Sequence, residues 1–327
     1  MKRKMTRIGT HNGKFHCDEA LGVFLLKLLP EYAAADVVRT RDPAVLKDLD
    51  VVIDVGGEYD AARGRFDHHQ KEFQDVFGHG FNTRLSSAGL VYKHFGRKII
   101  AQQLGKSESD PSVDELYLVM YKNFIEAVDA NDNGVALYEV DAKPRYVSNT
   151  DLPSRVSKMA ARWNEPCSAE EEDERFSKAS QMAGGEFLAD LEYWSKGWLP
   201  ARGLVSAALK ARKDVHPSGK ILRFDQVCPW KEHLFDLERE EGCVGEAIYV
   251  LYKDQREGKW RVQAVPLSPS SFDGRKMLPE PWRGLRDDKL DEVSGIKGCV
   301  FVHAAGFIGG HATYEGALEM AVRALEM

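Results

Sequence analysis

Val51-Val-Ile-Asp-Val55 is apolar apart from one acid, and so short and uniform a run suits a strand buried on both faces of a sheet. Strands of that kind belong to parallel sheets covered by crossover helices, and the flanking sequence supplies both parts. Arg7 to His11 and Val37 to Thr40 are further short strand candidates. Between them, Asp18 to Leu29 carries Leu21, Phe24, Leu25 and Leu28 at helical spacing and stops at Pro30. Residues 1–150 are therefore expected to form an α/β domain with a parallel sheet. Ligands of open α/β sheets bind at the C-terminal ends of the strands, which is where Asp54 stands.

Residues 151–215 change character. They are charged and helix-prone, with the acidic run Glu170 to Glu174, and read as a helical connector in which Trp163, Trp194 and Trp198 are expected to pack. Strand patterning returns after Gly219: Glu246 to Tyr252 and Lys259 to Pro266 flank the polar turn Asp254 to Gly258, a hairpin signal. Cys299 to His303 is a further strand, Gly306 to His311 reads as a glycine-rich turn, and a last helix is expected over Thr313 to Leu325. Residues 216–327 thus predict a second, smaller α/β domain, and two domains suit 327 residues.

Composition narrows the function classes. Forty-five Lys and Arg against 51 Asp and Glu give a net charge of −6, which excludes a globally basic nucleic-acid binder but not local basic surfaces. No apolar run approaches the roughly 18 residues of a membrane span. The 5 cysteines are scattered without a CxxC pair, which argues against a disulfide scaffold or zinc ribbon and for a reducing, intracellular compartment. The basic start, Met1 to Arg7, has no apolar segment behind it, so secretion is not expected, while organelle import stays open.

Four separated places in the first domain offer metal-ligating side chains. The loop Gly9-Thr-His-Asn-Gly-Lys-Phe-His-Cys-Asp18 presents His11, His16 and Asp18, a set that also suits a solvated polar loop. Asp54 closes an apolar strand, where an acid is costly unless paired or coordinated. Asp67-His68-His69 follows a short glycine-containing turn, and adjacent strand residues point to opposite faces, so the two imidazoles need not share one task. Asp129 opens Asp129-Ala-Asn-Asp132-Asn-Gly134, which also begins like a calcium-binding EF-hand loop but has Val140 where that loop needs a bidentate Glu.

This order of acids and imidazoles resembles the N-terminal motifs of the DHH phosphoesterase superfamily. Within it, the stretches THNGKFHCDEALG, VVIDVGG, RFDHHQKEF, EAVDANDNG and HAAGFIGGH are similar to the Myg (melanocyte proliferating gene) exonuclease family over nearly the whole chain. The resemblance implies a metal-dependent phosphodiesterase, a 3′–5′ exoribonuclease acting on single-stranded RNA ends in nucleus, cytoplasm or mitochondrion. It implies two divalent cations, manganese preferred and magnesium possible, which together activate a water. His11, His16 and Asp54 would hold one cation, and Asp18, Asp54, His68 and Asp129 the other, with Asp54 shared. Asp67 would orient an imidazole, and His69 would face the scissile phosphate. His16 stands where many DHH enzymes carry an acid, which removes a negative charge and favours manganese.

The same resemblance makes Gly309, Gly310 and His311 the substrate-binding motif, gripping a phosphate or terminal sugar, with His303 a lesser contact. Arg65, with Arg39, Arg41, Arg63 and Lys71, could steer a polyanion or simply keep the surface solvated. Ser86-Ser87-Ala88-Gly89 opens an apolar-periodic stretch, as a helix cap or as a phosphate contact. Two other readings remain: a DHH-type hydrolase of small phosphoanhydrides or short oligonucleotides, and a non-catalytic metal- or RNA-binding scaffold.

Overall fold

A computed structural model describes residues 5–138, 140 and 145–327; Met1 to Lys4 of the basic start and Pro144 lie outside the described residues. The chain divides into two compact units, Met1–Ser195 and Lys196–Met327.

In the first unit, β1 (Arg7–Thr10), α1 (Cys17–Lys27), β2 (Asp36–Arg39), α2 (Pro43–Lys47) and β3 (Val51–Ile53) follow the alternation expected from sequence. β4 (Tyr59–Asp60) and β5 (Arg65–Phe66) complete a sheet of order β2-β1-β3-β5-β4, parallel except for the antiparallel edge strand β4. Ile8 pairs with Val51 and Ile53 with Phe66, all buried, as a sheet covered on both faces requires. On one side Leu46 of α2 packs with Leu49, Val52 and Val55. A two-stranded ribbon, β6 (Val76–Gly78) and β7 (Phe81–Arg84), precedes α3 (Ser87–Leu104). Ser86 caps α3 by accepting from the Gly89 N–H, the local role its sequence position suggested.

α4 (Pro111–Met120) runs into a π-helical segment, Tyr121–Ile125, and then into α5 (Glu126–Asp132). The stretch that opens like an EF-hand is therefore mostly helix, and its acids project from α5 rather than from a loop. α6 (Leu152–Ser157) and α7 (Ala169–Glu192), from the expected connector, belong to the first unit, where α7 contacts α1. One expectation there is corrected: Trp163 is 97% exposed and packs nothing, because it lies in the turn between the two helices.

The second unit contains α8 (Ala201–Lys210), α9 (Arg212–Val215), β8 (Ile221–Phe224), α10 (Lys231–Glu240), β9 (Tyr249–Lys253) and β10 (Trp260–Ala264). α11 (Asp287–Ser294), β11 (Cys299–Val302), β12 (Ile308–His311) and α12 (Tyr314–Glu326) follow. Its sheet has the order β11-β12-β10-β9-β8 and is antiparallel except between β8 and β9. One face buries Leu251 and Val262 with Met320 of α12, and the other buries Leu222 and Val250 with Leu209 and Leu234. The glycine-rich turn expected at Gly306 to His311 is corrected: its last four residues are β12, with Gly309 and Gly310 laddered to β10 and β11. No helix among the described residues is long and apolar enough to cross a membrane.

Candidate metal centre

The loop after β1 is held from behind. Phe15 is buried with its ring 5.7 Å from that of Phe176 in α7, and the buried Arg39 guanidinium donates to the Gly13 carbonyl at 2.5 Å and lies over the Phe176 ring. This fixes the path from His11 to His16. Glu19, in the first turn of α1, accepts the backbone N–H of His16 at 2.8 and 3.0 Å, the reciprocal arm of a capping box. Its Oε1 also lies 3.0 Å from His11 Nε2, and Asp54 Oδ2 lies 3.4 Å from the same nitrogen.

Asp54 leaves β3 with φ of 59°, a left-handed conformation that non-glycine residues seldom adopt. Its N–H donates to Phe66, and its Oδ1 accepts from Ser87 Oγ at 3.0 Å at the start of α3. Burial disfavours a charged Asp54, but His11 and His68 outweigh it and hold the carboxyl well below the usual range. The same attraction works on the imidazoles. Burial opposes a charged ring at both, yet Asp54 and Glu19 push His11 up to about 10, and Asp132 and Asp54 push His68 up to about 9.

His68 is buried, with Nε2 3.0 Å from Asp132 Oδ2 and 3.4 Å from Asp54 Oδ1, near both but aligned for a hydrogen bond to neither. The neighbouring His69 is mostly exposed, and its Nδ1 lies 2.8 Å from Asp67 Oδ1. Asp67 is itself anchored by the Gly57 N–H at 2.6 Å, where Gly57 has φ of 67°.

Three overlapping groups of ligating atoms result: His11, His16, Glu19 and Asp54; Asp54, His68 and His69; and His16, Asp18 and Asp132. Within each, the ligating atoms lie within 4.8 Å of one another. The structure thus brings together His11, His16, Asp18, Asp54, His68 and His69 of the residues singled out in the sequence. It adds Glu19 and Asp132, which were not. Asp129 is absent from these groups. Its Oδ1 accepts from the Ser86 N–H at 2.9 Å and the Ser86 hydroxyl at 2.7 Å, and its Oδ2 accepts from the Tyr121 hydroxyl at 2.9 Å. Burial pushes its pKa up to about 7 against those donors.

The residues fit a divalent cation. Asp18 is completely buried, and neither of its oxygens has a hydrogen-bond partner. Burial, with Asp54 and Asp132 nearby, pushes it well above the ordinary carboxylate range. A buried carboxylate without donors costs several kcal/mol unless a cation compensates it. The donor set mixes imidazoles, which suit borderline divalent metals, with carboxylates, which suit hard ones. A cavity of about 800 Å³ opens on His16, Asp18, His68 and Asp132, and one of about 270 Å³ on His11, Asp54, Asp67 and His69.

The remaining sequence-derived candidates have local partners. Arg65 donates to the carbonyls of Arg63 and Leu49, and Arg63 pairs with Glu58. Arg41 lines the smaller cavity and Lys71 the larger. In the second unit, His311 is buried with Nε2 2.8 Å from the Lys297 carbonyl, and its Nδ1 accepts from the Thr313 N–H at 3.0 Å. His303 is exposed, its Nδ1 accepting from the Ala305 N–H.

The MYG1_exonuc family model, described as an uncharacterised protein family (UPF0160), matches residues 7–325. MYG1 exonuclease of Bos taurus is 53% identical over 321 residues, spanning 96% of this chain and 83% of its own. MYG1 exonuclease of Homo sapiens is 52% identical over 321 residues, spanning 96% and 84%. The MYG1 protein of Dictyostelium discoideum is 47% identical over 318 residues, spanning 97% and 96%. A crystal structure of RecJ with Mn2+ from Thermus thermophilus aligns with 98% of this chain and 52% of its own at 13% identity and a TM-score of 0.26, a similarity that carries no argument. From its sequence over almost its whole length, the chain belongs to the MYG1 exonuclease family.

Proposed function

We propose that this chain is a metal-dependent exonuclease that hydrolyses single-stranded RNA from the 3′ end, with two divalent cations and a preference for manganese over magnesium. The observation that carries the metal dependence is Asp18, buried with both oxygens unpartnered amid imidazoles and carboxylates. When bound, such ions supply Lewis acidity, lowering the pKa of water and offsetting charge on phosphate oxygens.

Asp54 is the shared carboxylate, since His11 approaches one of its oxygens and His68 the other. His16, Glu19, Asp18 and Asp132 complete the ligand set in this reading, and Asp129 acts instead by fixing the start of α3. Asp67 engages His69 Nδ1 and so directs the opposite nitrogen outward. Asp67 also raises the pKa of His69 against the smaller effect of burial, which favours a cationic ring for a scissile phosphate oxygen.

The test uses protein stripped with EDTA and resupplied with manganese or magnesium. RNA and DNA oligonucleotides labelled at either end are followed alongside pyrophosphate. The expected result is stepwise shortening of 5′-labelled RNA, fastest with manganese and absent in EDTA. Turnover of pyrophosphate alone, degradation only from the 5′ end, or undiminished activity without metal would overturn the proposal.

A further inference from the structure

We propose that Lys71, Arg84 and Lys158 form a cationic rim that grips the phosphates of the strand behind the bond to be cleaved. The larger cavity then takes a polynucleotide rather than an isolated phosphoanhydride. The inference rests on the nuclease reading for what happens at the cavity floor, but not for the rim itself.

The three side chains come from separate places: Lys71 follows the Asp67-His68-His69 segment, Arg84 ends β7, and Lys158 follows α6. All line the cavity of about 800 Å³ that Asp18, His68 and Asp132 also line. Several other cations of the unit are paired with acids: Arg63 with Glu58, Arg97 with Asp114, Lys98 with Glu31 and Arg155 with Glu186. Among the described residues the rim cations form no salt bridge, although Lys158 is near enough to Asp151 to contribute to holding its carboxyl below the ordinary range. Arg84 Nε donates to the Asn133 side-chain oxygen at 2.5 Å, and Lys158 Nζ donates to the Asn149 carbonyl at 2.5 Å. Neutral partners aim these groups without cancelling their charge.

Three like charges around one opening, none of them in a salt bridge, repel each other, and a polyanion in the opening turns that repulsion into attraction. The cavity lies within the roughly 300–1,000 Å³ range of ligand sites. Pyrophosphate would fill little of it and reach few of the three cations. A strand carries a charge at every linkage and can meet several together.

The experiment measures binding of a fluorescein-labelled pentaribonucleotide by anisotropy between 50 and 200 mM salt, about the range over which phosphate contacts are strongly screened. EDTA is present to prevent metal-dependent cleavage. Wild type is compared with Lys71→Gln, Arg84→Gln and Lys158→Gln, with Arg84→Lys to retain charge, and with Lys98→Gln as a control outside the cavity. Each Gln variant is expected to bind about 3- to 10-fold more weakly and to lower the slope of log K against log salt by about 0.7. Arg84→Lys should recover the slope, and Lys98→Gln should match wild type. Wild type that does not bind, rim variants that bind like wild type, or an equal loss in Lys98→Gln would overturn the rim. Rim-dependent binding without hydrolysis under manganese or magnesium would instead remove the nuclease reading and leave the rim standing.

Discussion

Glu19 Oε1 lies 3.0 Å from His11 Nε2, while both Glu19 oxygens accept the His16 backbone N–H that opens α1. One carboxylate therefore joins a helix start to the candidate metal centre. Glu19→Gln keeps the shape and most of the cap but removes the charge, so the His11 pKa should fall from about 10 in the metal-free protein. NMR titration of the His11 ring reads this directly. Glu19→Ala should in addition cost about 1 kcal/mol of stability through the lost cap.

Asp129 and Asp132 should separate into two kinds of effect. Asp132→Asn is expected to weaken manganese binding at least about 10-fold by calorimetry, and to lower the melting temperature of the metal-free protein at neutral pH, where it takes a partner from charged His68. Asp129→Ala should leave manganese affinity close to wild type. It strands the buried Ser86 and Tyr121 donors and should cost roughly 2–3 kcal/mol. Equal loss of metal binding in both would refute this division of roles.

The stability of the metal-free protein should fall as pH rises above neutrality. His11 and His68 have folded pKa values of about 10 and about 9 against an ordinary 6.5. Their stabilisation is fully present below about pH 6.5 and is lost as pH rises through 9 to 10. Asp54 acts in the opposite sense, its stabilisation being lost in acid below the ordinary value of 3.8. Metal needs deprotonated imidazoles, so the rise in melting temperature on adding manganese should grow over the same alkaline window. Calorimetry with and without manganese from pH 6 to 10 checks both trends.

Arg39→Ala should loosen the loop from His11 to His16. The Asp173 partner is half exposed and contributes little, but the bond to Gly13 and the packing on Phe176 are buried. A loss of about 2 kcal/mol, or about 5 °C in melting temperature, is expected. Arg39→Lys should restore only part of it, because an ammonium cannot both stack and donate as a planar fork does.

The alternation of strands and helices was legible because a doubly covered sheet demands runs such as Val51 to Ile53, and strand ends then brought His11 and Asp54 together. The choice between Asp129 and Asp132 was not legible. A π-helical turn at Tyr121–Ile125 shifts the helical phase by about 100° per inserted residue, and nothing in the residue pattern announces it. Beyond it, Asp129 faces Ser86 and Asp132 faces His68. Glu19 was not singled out, because an acid in the first turn of a helix is common without any further task. Gly309 and Gly310 read as turn residues because glycine commonly punctuates loops. Here a Cβ on Gly310 would lie 2.9 Å from the Phe301 ring, so the residue is small to admit a neighbour inside a strand.

The backbone at Asp54 carries a cost of its own. A residue held at φ of 59° sacrifices torsional comfort, and glycine there would relax it. Asp54→Gly should therefore lose metal chemistry while recovering part of that strain. The same change would also leave His11 and His68 without their shared counter-charge, so backbone relief and ion pairing pull this position in opposite directions.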